Sequence, residues 1–424
     1  MAKSLKVKKL LLPQFLLIGA LCVAAYAPML KLPLIEDDYP NIAQALKFGS
    51  PAAPLADPIF RMRATSYWVM RSLYRTFRIT PAAYHLASLV LHIANTWLIY
   101  LALLAGPQTR RAAIWAAGFF AVHEGHQEAV MWFSAINELF QFFFGVMALW
   151  LWMLGRRWLA VSLICFALAL ISKESAVVFL PLFGFALLGR SLPLKNACPA
   201  WTLLLYVAFA AGAVVALTST RAYSFRFSDG SFSLSAPFWI TWPRGFARLM
   251  WVWGWVAAAI LAIRRREAKV RNAAIAALAW IVIALLPYSF LTYSTQIPSR
   301  QTYLASAGLA ALFGLAMQQL WQEGGRARKI AVVLALAALL HNVGYIWIRK
   351  RPQFIARAQP TEHLIRLARE TGGPIWVQCF PLAPITAEAA LQLGAGLPAS
   401  EIISSPAEAA IRKPKSIFCD DRHP

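Results

Sequence analysis

Residues 10–30 read LLLPQFLLIGALCVAAYAPML, and residues 31–39 continue KLPLIEDDY. A helix of about 20 apolar residues crosses a bilayer, and the first stretch meets that length. The second places Glu36, Asp37 and Asp38 side by side just beyond its end. Adjacent carboxylates repel one another and need a base role, a metal or a cationic partner to justify them at a membrane exit. The chain holds only 18 Asp and Glu against 41 Lys and Arg, so such a triplet stands apart.

Apolar runs recur to the far end of the chain. Of its 424 residues, 59% are hydrophobic, and the mean hydropathy is +0.56. A soluble domain holds roughly 45–50% apolar residues, so the chain reads as an all-α polytopic membrane protein. A cleaved signal peptide is not expected, because the first run is long enough to span and no soluble domain follows a small-residue cleavage site. The net charge of +23 does not indicate nucleic acid. The basic clusters are Lys3/Lys6/Lys8/Lys9, Arg110/Arg111, Arg156/Arg157, Arg190/Lys195, Arg264–Arg266 with Lys269 and Arg271, and Arg326/Arg328/Lys329. They fall at every second gap between apolar runs, which is the positive-inside pattern with a cytoplasmic N-terminus.

About eleven membrane helices follow from pairing runs with clusters: 10–30, 84–105, 112–122, 135–155, 158–172, 175–189, 200–218, 246–263, 273–291, 303–321 and 330–348. The outer face then receives 31–83, 123–134, the 172–175 junction, 219–245, 292–302 and everything past about 349. In the loop 31–83, Tyr67, Met70, Tyr74 and Phe77 share one helical face beside Arg71, Arg75 and Arg78. That pattern predicts a helix in the interface with its aromatic face towards lipid, and 40–48 predicts a shorter one. Two domains are expected: a multi-span domain over 1–350 and a small extracytoplasmic α/β tail over 351–424. In the tail, 361–371 reads as a helix stopped by Gly372-Gly373, 386–393 as a helix, and 375–380, 401–404 and 416–419 as strands. If the tail lies outside, Cys379 and Cys419 could pair in an oxidising compartment. Gly394-Ala395-Gly396 is too short to signal nucleotide binding.

The polar residues expected outside gather in four places: Glu36-Asp37-Asp38; Arg61 and Arg63 with His85 and His92–Asn95; His123 to Glu128; and Ser172-Lys173-Glu174-Ser175 with Arg300 to Tyr303. Sugar transfer from a lipid-linked phosphate fits them. Asp37 or Asp38 would be the general base for an acceptor hydroxyl. Arg61, Lys173 and Arg300, with Tyr303, would take the charge of the departing phosphate. Glu36, His85, His123, His126, Glu128 and Glu174 would shape the sugar or acceptor pocket. Each has a plainer reading. The triplet could pair with Lys31 or Arg63, the histidines could be packing or helix-ending residues, and Lys173–Glu174 could be a structural ion pair. Asp37 and Asp38 could hold a divalent cation such as Mg or Mn, and the His123/His126/Glu128 spacing is also compatible with a metal.

These blocks resemble the GT-C superfamily of membrane glycosyltransferases that use polyprenyl-phosphate sugars, and within it the tetratricopeptide-containing transmembrane O-mannosyltransferases and their bacterial relatives. The resemblance runs from about Glu36 to Leu312. Asp37–Asp38 is similar to the acidic pair of the first outer loop, which in that superfamily supplies the base. Arg61 resembles the Arg of a Phe-Arg-Pro-Leu stretch. His123-x-x-His126-x-Glu128-Ala129-Val130 is similar to a His-Pro-x-His-x-Glu-Ala-Val block, Ser172-Lys173-Glu174 to a Ser-Lys-Glu block, and Arg300 to Tyr303 with Ser306-Ala307-Gly308 to a Glu-Arg-Tyr-x-Tyr, Ser-Ala-Gly stretch. Met62 stands where that family has Pro, Ser299 replaces the Glu before the Arg, and 135–138 lacks an expected Arg. No tetratricopeptide repeats follow.

The resemblance implies an inverting glycosyltransferase with a polyprenyl-phosphate-sugar donor and a protein or glycan acceptor. It implies a bacterial plasma (inner) membrane location, with the active site and tail extracytoplasmic. Two rivals are a transporter or flippase of lipid-linked sugar, for which the chain shows no internal repeat, and a GT-C scaffold without activity. Asp38→Asn is expected to abolish transfer and leave insertion intact.

Overall fold

The computed structural model describes residues 2–188, 198–218, 233, 235–264, 268–292 and 294–420. The expected basic residues Arg190, Lys195, Arg265 and Arg266, and the loop stretch 219–232, lie outside them. The architecture is an all-helical bundle followed by a small α/β module. Its helices are α1 (Ala2–Tyr26), α2 (Asp38–Lys47), α3 (Ala64–Phe77), α4 (Pro81–Ala105), α5 (Ala113–Val122), α6 (Gln127–Met131), α7 (Ile136–Leu154), α8 (Leu159–Leu170), α9 (Phe179–Leu188), α10 (Leu203–Thr218), α11 (Phe238–Ile263), α12 (Ala268–Leu285), α13 (Ser306–Glu323), α14 (Gly325–Gly344) and α15 (Arg351–Thr371).

Every expected span falls on one of these helices. Six helical segments among the described residues are long and apolar enough to cross a membrane: Leu11–Lys31, Pro81–Ala105, Phe133–Leu154, Phe238–Ile263, Ala268–Phe290 and Gly325–Thr371. Shorter apolar helices lie at 113–122, 174–184 and 200–216. Apolar side chains such as Leu16, Leu204, Val333 and Leu340 stay exposed on the bundle surface, as a lipid solvent permits. The inner helices approach closely where side chains are small. A Cβ on Gly314 of α13 would lie 2.8 Å from the Ala112 carbonyl oxygen, so only glycine admits α5 that near.

Two expectations about the outer loops change. α3 forms where expected, but Tyr67 and Met70 are buried. Tyr67 packs edge-to-face on Phe48 and Phe60, with ring centres 5.4 and 5.3 Å away. The start of that face covers the bundle, because Phe48 and Phe60 offer aromatic partners, while Phe77 at its far end stays exposed. The helix that carries the last expected span also does not end near 349. α14 passes through a π-turn at Tyr345–Lys350 into α15, making one helical rod. Pro352 sits in the first turn of α15, and the wider turn before it accommodates the missing N–H. The position expected as a domain boundary therefore lies inside a continuous helix.

Beyond Gly372 (φ +53°) and Gly373 (φ +116°) come β1 (Ile375–Cys379), α16 (Pro384–Ala390), β2 (Ile402–Ile403), α17 (Pro406–Arg412) and β3 (Ser416–Cys419). The strands form a parallel sheet in the order β2-β1-β3. Leu364, Ile375, Ala387, Leu391 and Phe418 form its core. Cys379 and Cys419 are joined by a disulfide across the β1–β3 pair. The helix α17, capped by Ser405 accepting from the Glu408 N–H at 3.3 Å, was not read from the sequence.

Candidate active site

The link between α1 and α2 carries the acidic triplet, and the structure gives its three carboxylates three different fates. Asp38, the first residue of α2, is fully buried. It accepts from the Ile35 N–H at 2.9 Å and from the Ser134 N–H and hydroxyl, both at 2.7 Å. Burial still pushes its acid group up to about 7 against those donors. Its oxygens are occupied, so it fastens the loop to the 132–135 turn. Glu36, in the left-handed region at φ +45°, forms a bidentate pair with Arg357 of α15, Nε to Oε1 at 2.7 Å and Nη2 to Oε2 at 2.5 Å. Asp37 between them is exposed. Among the described residues, nothing donates a hydrogen bond to its carboxylate. Burial and then Glu36 raise its acid group above the usual value, against the opposing pull of Arg300 and Arg357.

A second ion pair stands beside the first. Glu128 of α6 accepts from the Ser299 hydroxyl at 2.8 Å, the Arg300 N–H at 3.1 Å and Arg300 Nη1 at 3.4 Å. Burial pushes Glu128 up, but Arg300 and these donors outweigh it and hold the group below its usual value. Trp132 joins the two pairs: the Arg300 and Arg357 guanidinium carbons lie 4.9 and 5.0 Å from its ring centre. Its buried indole N–H has no partner among the described residues.

Next to these pairs lies a polar cavity of about 250 Å³, lined by Gln127, Glu128, Arg248, Ser299, Lys350, Gln353 and Arg357, among others. Three of these side chains are cationic and one is a carboxylate, so the cavity favours an anion. It gathers residues from α6, α11, the π-turn and α15.

The remaining expected site residues sit elsewhere. Lys173 is buried in an ion pair with Glu138, stacks over Tyr288 with Nζ 4.8 Å from the ring centre, and has its ammonium pushed down chiefly by burial. Glu174 pairs with Arg63 at 2.7 Å. Neither touches the triplet, so this polar cluster forms a separate place. Arg61 donates to three backbone carbonyls, of Ala56 (3.4 Å), Asp57 (3.4 Å) and Ala216 (3.3 Å), and so ties its loop to α10. His85 bonds the Leu32 carbonyl at 3.1 Å and holds the chain as it leaves α1.

Tyr303, expected at the phosphate, is buried with its hydroxyl 2.7 Å from His92 Nδ1. His126 lies in the same core, 2.6 Å from the Ser306 hydroxyl, and burial, His123 and His92 keep its imidazole well below the usual value. His123 is also buried, stacked on Phe119 at 5.2 Å, with burial the main cause of its lowered value. These rings support the 123–131 turn from beneath. No group of three His, Cys, Asp or Glu side chains is arranged for a metal among the described residues. The oxygens of Asp38 are taken up by protein donors, so the pair Asp37/Asp38 does not present two open carboxylates.

No family model matches the chain. A stretch covering 25% of the chain is 32% identical, over 111 residues, to the protein O-mannosyl-transferase Tmtc1 of Drosophila melanogaster, and spans 13% of that protein's length. Among solved structures, ArnT from Cupriavidus metallidurans bound to undecaprenyl phosphate superposes with a TM-score of 0.54 at 13% identity, over 95% of this chain and 88% of that one. The Archaeoglobus fulgidus oligosaccharyltransferase tethered to an acceptor peptide gives 0.53 at 11% identity, over 94% of this chain and 64% of that one. The chain has the GT-C fold. Of the residues gathered here, the sequence reading names Asp37, Arg300 and Glu128 and does not name Trp132, Ser134, Arg248, Lys350 or Arg357. Trp132 and Ser134 lie two and four residues past the 121–130 block and within reach of extending it. Arg248, Lys350 and Arg357 lie on helices with no local signal.

Proposed function

We propose that the protein is an inverting glycosyltransferase that moves a sugar from a polyprenyl-phosphate-linked donor to an acceptor hydroxyl of a protein or glycan. The observation that carries this reading is one open carboxylate, Asp37, set among the cations Arg300 and Arg357 beside a cavity with cationic surplus. Asp37 takes the acceptor proton as the acceptor oxygen attacks the anomeric carbon. The bond from that carbon to the phosphate oxygen breaks, and the electron pair leaves with the lipid phosphate. Arg300, Arg248 and Lys350 stabilise the charge that develops there. A single displacement inverts the anomeric centre. The unpartnered Trp132 N–H is left as a donor for the sugar or the acceptor.

The undecaprenyl phosphate of the ArnT structure supports the lipid class. The Cys379–Cys419 disulfide and the alternation of basic clusters support an extracytoplasmic site in a bacterial inner membrane. The test is sugar transfer by purified protein, wild type beside Asp37→Asn, with mixed polyprenyl-phosphate sugars from inner membranes and mass spectrometry of envelope acceptors. Loss of transfer in Asp37→Asn with undecaprenyl phosphate still bound is the expected result. A wild type that binds the lipid and transfers nothing would overturn the reading in favour of a transporter or an inactive scaffold.

A further inference from the structure

The residue preceding Asp37 is held in a backbone conformation that non-glycine residues rarely adopt, φ +45° at Glu36. Such a conformation persists where surrounding contacts hold it, and here the contact comes from far along the chain. Arg357 grips both Glu36 oxygens at 2.7 and 2.5 Å. Its own guanidinium is fixed in turn, 5.0 Å from the Trp132 ring centre and 5.1 Å from that of Phe354. The residue following Asp37 is fixed independently by Ile35 and Ser134. Asp37 thus stands between two anchored residues, Glu36 and Asp38, with its own carboxylate open.

The geometry points to Arg357 as a positioning residue for Asp37, acting through Glu36, so that the helix leading into the C-terminal module is an integral part of the site. This rests on the proposed glycosyltransfer for its consequence in rate, but the anchoring itself does not. A planar fork matched to a carboxylate suits the task, and lysine would supply the charge without the two-point grip.

The anchoring is tested without activity. Asp37→Cys places a thiol at the base, and its labelling by a charged methanethiosulfonate, read peptide by peptide in the mass spectrometer, reports the loop. In the Asp37→Cys background, Glu36→Gln, Arg357→Ala and the two together should each change the labelling rate by about threefold or more. The double variant should match the singles, because coupled partners are not additive. Unchanged rates, or an effect of Arg357→Ala that Glu36→Gln does not share, would overturn the inference. Arg357→Lys in the otherwise native chain supplies the kinetic arm. It should lower kcat by about tenfold to a hundredfold while the KM for a polyprenyl-phosphate sugar stays within about twofold. A raised KM at unchanged kcat would make Arg357 a phosphate ligand instead and would also overturn it. If the wild type transfers no sugar, the proposed activity falls, and the labelling arm still decides the anchoring. If Arg357→Ala fails to accumulate, Glu36→Gln and Arg357→Lys decide in its place.

Discussion

Two charged clusters sit at loop ends of the helices, and they differ in how completely their charges are matched. Around Lys173 and Glu174, the cations meet carboxylates: Lys173 meets Glu138, and Arg63 meets Glu174. Tyr288 donates to Glu138 Oε2 at 3.2 Å and lies 2.8 Å from the Ser175 hydroxyl. Around Asp37, the matching stops short. Glu36 and Glu128 have partners, but Asp37 has none among the described residues, and Arg248 and Lys350 face a cavity. The first cluster is built to hold helices together. The second keeps spare charge of both signs, which is what a proton transfer beside a leaving phosphate requires.

That contrast breaks or sharpens with substitution. The largest effect belongs to Asp37→Asn, which should lower kcat by about a thousandfold with an unchanged melting temperature. In the wild type, the acid limb of the rate profile should lie above the ordinary Asp range, because burial and Glu36 raise that group. Activity then falls as the pH drops through that value, because only the ionised carboxylate accepts a proton. A limb that survives in Asp37→Asn would assign it to another group.

Lys173→Met should show the opposite profile. It leaves Glu138 buried without its cation and should cost about 3–5 kcal/mol of stability. Turnover per folded molecule should be unchanged. Adding Glu138→Leu should restore much of the melting temperature, and a loss of turnover in the double variant would bring the two clusters together functionally.

Arg248→Ala should weaken binding of undecaprenyl phosphate by about tenfold, near 1.4 kcal/mol, and leave the melting temperature in place. The smallest effect is expected of Arg63→Ala. Its pair with Glu174 is partly exposed (19% and 31%), and the pair should be worth under about 1 kcal/mol by thermal melting in detergent.

The bundle was legible in the sequence because lipid imposes a length on each helix and the basic clusters mark alternate ends. The α5 segment illustrates this: the sequence marks a short span over 112–122 from apolarity alone, and the helix runs Ala113–Val122. The strand Ser416–Cys419 and the Gly372-Gly373 stop were equally local. Partnership was not legible. Asp37 and Asp38 are neighbours of one type, and only the fold turns one inward to Ser134 and leaves the other open. His126 and Tyr303 looked like site residues because polar groups at membrane depth usually are, yet here they satisfy one another's neighbourhood inside an aromatic core. Arg357 lay past the reach of any pattern, because its meaning depends on a contact with residue 36. The continuous rod also hid its end. A hydropathy window stops where polar residues begin, but the backbone continues through a π-turn.

The rod from Gly325 to Thr371 has a consequence for how the molecule is made. In the proposed orientation it carries Arg357 from late in synthesis to a loop that emerged with the first helix. While the ribosome is still producing the inner bundle, the Glu36 carboxylate lacks Arg357 and its loop lacks that anchor. Residue 357 must first be made and, in that orientation, cross the membrane. In that order of assembly the loop carrying Asp37 stays unanchored until one of the last helices is in place, so the site is completed only near the end of synthesis.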